Sequence, residues 1–193
     1  MNQNSLIWNY QELFLEWRVI FPVKTDSGLT ITLEEGDKSA KLKEVAIVGV
    51  PNKSILLSLH GINLGNTMKN TMKLNQGIAT CCDYVLVSET KKEIVLLFIE
   101  LKSKEPNVAH VKKQLKSASC LLEYCNAIIK YFSDYSLPDS RRIKTYYVLF
   151  SHKKGSNKMR TGIKAKNNHD PDRFYHHKFG DDKSASVQYA KLL

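Results

Sequence analysis

The sequence predicts an α/β fold in which helices flank a central mixed β-sheet. Two observations lead to this prediction. Several short apolar runs, bounded by Gly, Pro, Asn or charged residues, have the length and composition of buried strands. Between two of them, residues 108–132 repeat apolar side chains at alternating spacings of four and three, which is typical of a long helix packed on one side. A helix of that length lets the strands before and after it lie parallel.

The chain begins with a predicted amphipathic helix over residues 5–18. Ser5 can cap its first turn, and Pro22 prevents much continuation beyond its end. The apolar stripe of this helix consists of Leu6, Tyr10, Leu13 and Trp17.

The predicted strands are short and alternate with polar segments. They cover residues 29–33, 44–50, 54–60, 82–88, 93–102, 144–150 and 186–192. A Pro-Asn-Lys turn joins the second strand to the third. Residues 61–80, rich in Gly, Asn, Thr and Lys, predict a loop. A second loop is predicted at NNHDPDRFYHHKF (167–179), where a metal cluster is conceivable but contact with solvent or nucleic acid is the favoured interpretation.

The apolar hairpin formed by the fourth and fifth strands closes on charged residues. Both faces of its second strand are apolar until Glu100 and Lys102, and an isolated charge in such a strand is expensive. With a four-residue turn at 89–92, Asp83 lies opposite Phe98 and diagonal to Glu100. Strand alternation then projects both carboxylates and the lysine to one face, whereas a slip by one residue would move Asp83 to the other face.

Such a cluster has a definite chemistry. Two carboxylates on strand positions about 7–8 Å apart can converge on one hard divalent cation. The cation polarises a phosphoryl oxygen and lowers the pKa of a bound water. Lys102 can orient or help deprotonate that water, or stabilise the developing charge, and the backbone carbonyl of Leu101 is a further possible ligand. The alternative is an ordinary salt bridge between Glu100 and Lys102 at the end of a strand.

Asp83 followed by Glu100-Leu101-Lys102 resembles the motif of the PD-(D/E)XK nuclease superfamily, the restriction-endonuclease-like fold. That resemblance covers residues 78–150 and implies an αβββαβ core, in the order read above. Cys82 stands where the motif often has Pro. The resemblance implies a single nuclease-like domain over residues 1–193, with a basic C-terminal extension at 151–193.

The resemblance also implies a function and further site residues. Members typically cut DNA, sometimes RNA, with Mg²⁺ or Mn²⁺, and small members often serve in restriction or phage defence, an antiviral role. Gln114 matches an auxiliary position in the helix that follows the lysine strand, although Ala118 stands where a Tyr accompanies it in some members. A carboxylate from the N-terminal helix is also used in many members, and Glu12 and Glu16 remain equal candidates for it.

The charge of the chain favours a nucleic-acid partner. The net charge is +10, and the excess is concentrated between residues 141 and 169, which hold nine Lys or Arg and no Asp or Glu. The residues expected to contact a phosphate backbone are Arg141, Arg142, Lys153, Lys154, Lys158 and Arg160. The alternative function is a catalytically inactive module of the same fold that binds nucleic acid or a protein partner.

Composition and cysteine usage predict a cytoplasmic protein. No apolar run reaches the ~18 residues that a membrane span needs, and the N-terminus lacks a basic leader. The four cysteines show no paired zinc spacing and are expected to be reduced thiols. A homodimer, or a subunit of a larger complex, is the expected assembly because one such site cuts one strand.

Overall fold

The computed structural model describes residues 5–36, 40–64, 80–139, 142–152, 168–180 and 184–193. These residues form an α/β fold with two mixed β-sheets and two α-helices. The helices are α1 (Leu6–Leu13) and α2 (Val108–Phe132), and the strands are β1 (Val19–Ile20), β2 (Val23–Thr25), β3 (Gly28–Glu34), β4 (Glu44–Val48), β5 (Ser54–Ser58), β6 (Tyr84–Glu89), β7 (Ile94–Lys102), β8 (Ile143–His152), β9 (Tyr175–Phe179) and β10 (Ser184–Gln188).

The central sheet has six strands in the order β1-β5-β6-β7-β8-β9. Strands β5, β6 and β7 form an antiparallel meander, and β8 lies parallel to β7 after the α2 crossover. The predicted parallel pairing across the long helix is therefore confirmed. Strand β7 is buried on both faces along almost its whole length, as its apolar sequence indicates.

Both helices pack on one face of the central sheet. Asn107 caps α2 by accepting the His110 N–H at 3.2 Å, and the helix spans the predicted residues. The first helix is shorter than predicted, because Phe14 adopts an extended backbone and donates its N–H to Tyr10. A 3₁₀ turn follows at Glu16–Arg18, so Trp17 does not continue the apolar stripe.

A second, four-stranded sheet covers the opposite face of the central sheet, in the order β10-β4-β3-β2. Its inward side chains, among them Ile31, Leu33, Val45 and Ile47, share a core with alternate residues of β6, β7 and β8. Within the described residues, the helices thus cover one face of the central sheet and the second sheet covers the other. The chain passes from the second sheet to the central sheet after β4, which ends two residues earlier than predicted, and Gly49 there has a φ of 77°.

The register of the β6–β7 hairpin differs from the predicted one. Ser88 pairs with Val95 rather than Glu93, and the turn closes with a 2.9 Å hydrogen bond from the Thr90 N–H to the Glu93 carbonyl. The prediction was wrong by two residues. An even shift leaves every side chain on its predicted face, so the consequence is only that Asp83, one residue before β6, comes opposite Glu100.

The C-terminal segment contributes more regular structure than predicted. Residues 175–179, expected in a loop, form β9 and pair in parallel with β8. The last strand, β10, begins and ends earlier than predicted and runs parallel to β4. None of the helices in the described part of the chain is long and apolar enough to cross a membrane.

Candidate functional site

Three charged side chains meet at one end of the β6–β7 hairpin. Asp83 precedes β6, and Glu100 and Lys102 close β7. The neighbouring alternate residues, Val85 and Phe98, belong to the core beneath the helices. Alternation in β7 places Glu100 and Lys102 on the helix-covered face, and Asp83, one residue before β6, reaches the end of β7 through its hydrogen bond to the Leu101 N–H.

Glu100 is a fully buried carboxylate, with no exposed surface. Burial raises its pKa well above the usual range, and the nearby charge of Asp83 raises it further, while the ion pair with Lys102 opposes both effects. A carboxyl group in this position needs a positive charge beside it to remain ionised near neutral pH.

Lys102 supplies that positive charge. Its ammonium forms an ion pair with Glu100, and its side chain remains about one-third exposed. Burial alone would lower the pKa of Lys102, but the charge of Glu100 and the hydrogen bond to it raise the pKa, with smaller contributions from Asp83 and Glu35. Lys102 is therefore suited to stabilising negative charge rather than to accepting a proton.

Asp83 is held by two partners. Its Oδ2 accepts the backbone N–H of Leu101 at 2.7 Å, at the point where the β6–β7 ladder ends. Its Oδ1 lies 3.2 Å from Nδ1 of His60. The N–H and carbonyl of one strand residue point to the same side, so the Leu101 carbonyl also faces the Asp83 side, as a metal ligand there would require.

His60 is a site residue that sequence reasoning missed. Its hydrogen bond to Asp83 raises its pKa despite burial, which acts in the opposite direction. The Tyr84 ring packs edge-on against it, with ring centroids 4.8 Å apart. The available signal was its place at the end of a predicted strand, but its partner lies 23 residues away and becomes visible only with the β5–β6 pairing.

The auxiliary candidates differ in their placement. Gln114 is buried on the first turns of α2, and its Oε1 has no hydrogen-bond partner among the described residues. Glu12 and Glu16 are both exposed, and within the described structure neither is joined to the charged cluster by a hydrogen bond or ion pair. The N-terminal carboxylate thus remains a prediction at both positions.

A second polar group borders the cluster on strands β8 and β9. The register places Ser151 beside Lys102 and Lys178 beside Ser151. Ser151 is buried, and its Oγ lies 2.7 Å from Nε2 of His176, whose pKa is lowered by burial and by the charge of Lys178. Lys178 also pairs with Glu105 at 3.6 Å. The sequence analysis placed His176 in a loop and missed this group.

The predicted phosphate-contacting residues are mostly outside the described structure. Arg141, Lys153, Lys154, Lys158 and Arg160 lie there, so their placement stays a prediction. Arg142 is described, and its guanidinium donates to the carbonyls of Lys91 and Lys92 in the β6–β7 turn. That turn is at the opposite end of β7 from Glu100, so Arg142 does not border the charged cluster.

In the described part of the chain, no three His, Cys, Asp or Glu side chains are grouped closely enough to hold a metal ion by themselves. No family model, curated protein or solved structure matches the chain. A function has to be inferred from the geometry of Asp83, Glu100 and Lys102.

Proposed function

We propose that the chain is a metal-dependent nuclease that hydrolyses phosphodiester bonds in nucleic acid, with DNA as the expected substrate. The observation that supports this most is the meeting of Asp83, Glu100 and Lys102 at the end of a buried hairpin. Keeping two carboxylates here costs folding free energy, because Glu100 is fully buried. Charged groups in such costly positions are concentrated at functional sites.

The donor set suits Mg²⁺ or Mn²⁺. These cations prefer oxygen ligands, and Mg²⁺ is commonly bound by one or two carboxylates with water and substrate phosphate completing its shell. Asp83, Glu100 and the Leu101 carbonyl would hold the ion. Buried Glu100 has a raised pKa, so a cation would favour its ionised form. When bound, the metal would supply Lewis-acid polarisation and a nucleophilic water.

The protein's own residues have separable tasks in this proposal. The Leu101 N–H and His60 fix the orientation of the Asp83 carboxylate. Lys102 now neutralises Glu100, and its exposed ammonium would turn toward a substrate phosphate and stabilise charge that develops there. Gln114 offers a buried carbonyl oxygen on the helix above the same face.

The partner and context remain those that the sequence favours. A net charge of +10 attracts a phosphate backbone, and Lys178 and His176 extend the polar surface beside Lys102. We infer a role in restriction or phage defence, with a homodimer or larger complex for cutting both strands, and a cytoplasmic location.

The test is cleavage of plasmid and single-stranded DNA with Mg²⁺, Mn²⁺ or EDTA. Asp83→Asn and Lys102→Ala should each lower the rate by at least about 100-fold, since each removes a group that acts on developing charge. Asp26→Asn and Lys24→Ala, at exposed positions of the second sheet, serve as matched controls and should cut normally. Cutting in EDTA, or full activity in both site variants, would contradict the proposal.

One observation favours a second candidate, a nuclease-like module that binds without cutting. Both carboxylates already have partners within the protein. Asp83 contacts His60 and the Leu101 N–H, and Glu100 forms an ion pair with Lys102. In that case the protein would bind nucleic acid equally well with Mg²⁺ or EDTA. Binding would be indifferent to Asp83→Asn, and no product would form.

A further inference from the structure

The segment between α1 and β2 exposes an unusual amount of apolar surface. We define the Trp17 surface as Leu15, Trp17, Phe21 and Val23, whose exposed fractions are 63%, 65%, 46% and 67%. Exposed aromatic side chains grouped in this way indicate a binding site more often than an inert surface.

The Trp17 surface is attached to the edge of the central sheet. Strand β1, between Trp17 and Phe21, pairs with β5 at Val19 and Ile20. The guanidinium of Arg18 lies 4.1 Å from the centroid of the Trp17 ring and donates to the carbonyls of Ser58 and His60, at 2.9 and 3.1 Å. Trp17 is thus a fixed aromatic plane with a cation on one side, although most of its surface is open.

This surface is adjacent to the charged cluster. Arg18 binds the carbonyl of His60, and the imidazole of the same histidine contacts Asp83. Three consecutive contacts, from Trp17 to Arg18, from Arg18 to His60 and from His60 to Asp83, therefore connect the stacking plane to the proposed metal ligand.

A cleft of about 460 Å³ lies beside the second sheet and shares Phe21 and Val23 with the Trp17 surface. Tyr84, whose ring contacts His60, also lines this cleft. The remaining lining includes Ile20, Thr25, Thr30, Thr32 and Glu34. Apolar walls with a few hydroxyl and carboxylate groups are suited to a planar heterocycle with hydrogen-bonding edges.

We propose that the Trp17 surface and this cleft bind unpaired bases, so that the preferred ligand is single-stranded DNA rather than duplex. Aromatic planes beside cations stack on bases of any sequence, and a duplex hides the base faces that stacking needs. The net charge of +10 favours a nucleic acid over an equally charged second copy at this surface, so the homodimer proposed above would form through another face. The inference extends the proposed function by naming its substrate class.

The test measures binding, not cutting. Fluorescence anisotropy with a labelled short oligothymidine in EDTA gives the affinity without cleavage, and an abasic strand of equal length reports phosphate contacts alone. Trp17→Ala should weaken oligothymidine binding about tenfold, the loss expected for one stacked base, and leave abasic-strand binding unchanged. Trp17→Phe, which keeps a smaller ring, should lie between wild type and Trp17→Ala.

Phe132→Ala is the matched control, because Phe132 is 84% exposed at the far end of α2 and should not affect either strand. The proposal is overturned if Trp17→Ala binds oligothymidine like wild type, or if it weakens both strands equally. Its failure is distinct from failure of the nuclease proposal. Trp17-dependent binding without any cleavage would refute only the nuclease, and cleavage with binding indifferent to Trp17 would refute only the stacking site.

Discussion

The two ends of strand β7 differ in how their polar groups are paired and buried. At the start, the Thr90–Glu93 turn satisfies itself with short-range hydrogen bonds, and exposed Arg142 adds contacts to two carbonyls. At the end, Glu100 is buried without exposed surface beside a second carboxylate and is balanced by one lysine. Only the second end keeps a charge in the core, where it costs folding free energy, and this contrast supports the proposal of a functional site at that end.

Removing Lys102, which balances the charge of buried Glu100, should have the largest effect on the free energy of unfolding. Lys102→Met leaves Glu100 without its counter-charge, and we expect a loss of about 3 kcal/mol in the free energy of unfolding at pH 8. Urea denaturation measures it. Arg142→Met, at the other end of the strand, is the control and should cost no more than about 0.5 kcal/mol. Equal losses would remove the contrast between the two ends.

The second largest effect should be the change that Glu100→Gln causes in the pH dependence of stability. Because burial raises the pKa of Glu100, the folded protein holds this proton more strongly than the unfolded chain does. Its stabilising contribution is present at low pH and is lost as pH rises toward the raised pKa. Relative to Glu100→Gln, the wild type should lose roughly 2 kcal/mol between pH 5 and pH 9, measured by urea denaturation across that range. If the wild type and Glu100→Gln lost the same stability over this pH range, the pKa of Glu100 would not be raised in the folded protein.

The smallest expected effect concerns His60. Its hydrogen bond to Asp83 raises its pKa, so the contribution of this pair is present below the usual histidine pKa and is lost as pH rises through the raised value. His60 is more than a third exposed, which limits that contribution to about 0.5 kcal/mol. An NMR titration should show the pKa of His60 falling in Asp83→Asn. An unchanged His60 curve would argue against the contact.

Local periodicity explains why some elements were predictable. The apolar residues of helix α2 recur at helical spacing, and those of strand β7 form a short continuous run. Both elements were predicted close to their observed bounds. The proximity of Asp83 to the end of β7 was also predictable, because a shift of two residues in register leaves both at the same end of the hairpin. The two-residue error arose because both faces of β7 are apolar, so the sequence does not distinguish one even register from another.

Long-range pairing explains what was missed. The second sheet depends on β10 pairing with β4 across most of the chain, and no local pattern indicates the partner of a strand. The contact between Ser151 and His176 likewise exists only because β9 pairs with β8. Alternation in Tyr175–Phe179 was available as a signal, but its charged and histidine content resembled a loop.

The hydrogen bond from Leu101 to Asp83 has a consequence for which side chains position 83 can hold. The backbone pairing of β6 with β7 stops just before this position, and the Asp83 carboxylate, rather than a backbone carbonyl, accepts the Leu101 N–H. Asparagine can supply the same oxygen, whereas alanine would leave an amide proton open to exchange with deuterium. Natural variants that lose chemistry but keep the fold should therefore carry Asn at this position more often than a small apolar residue.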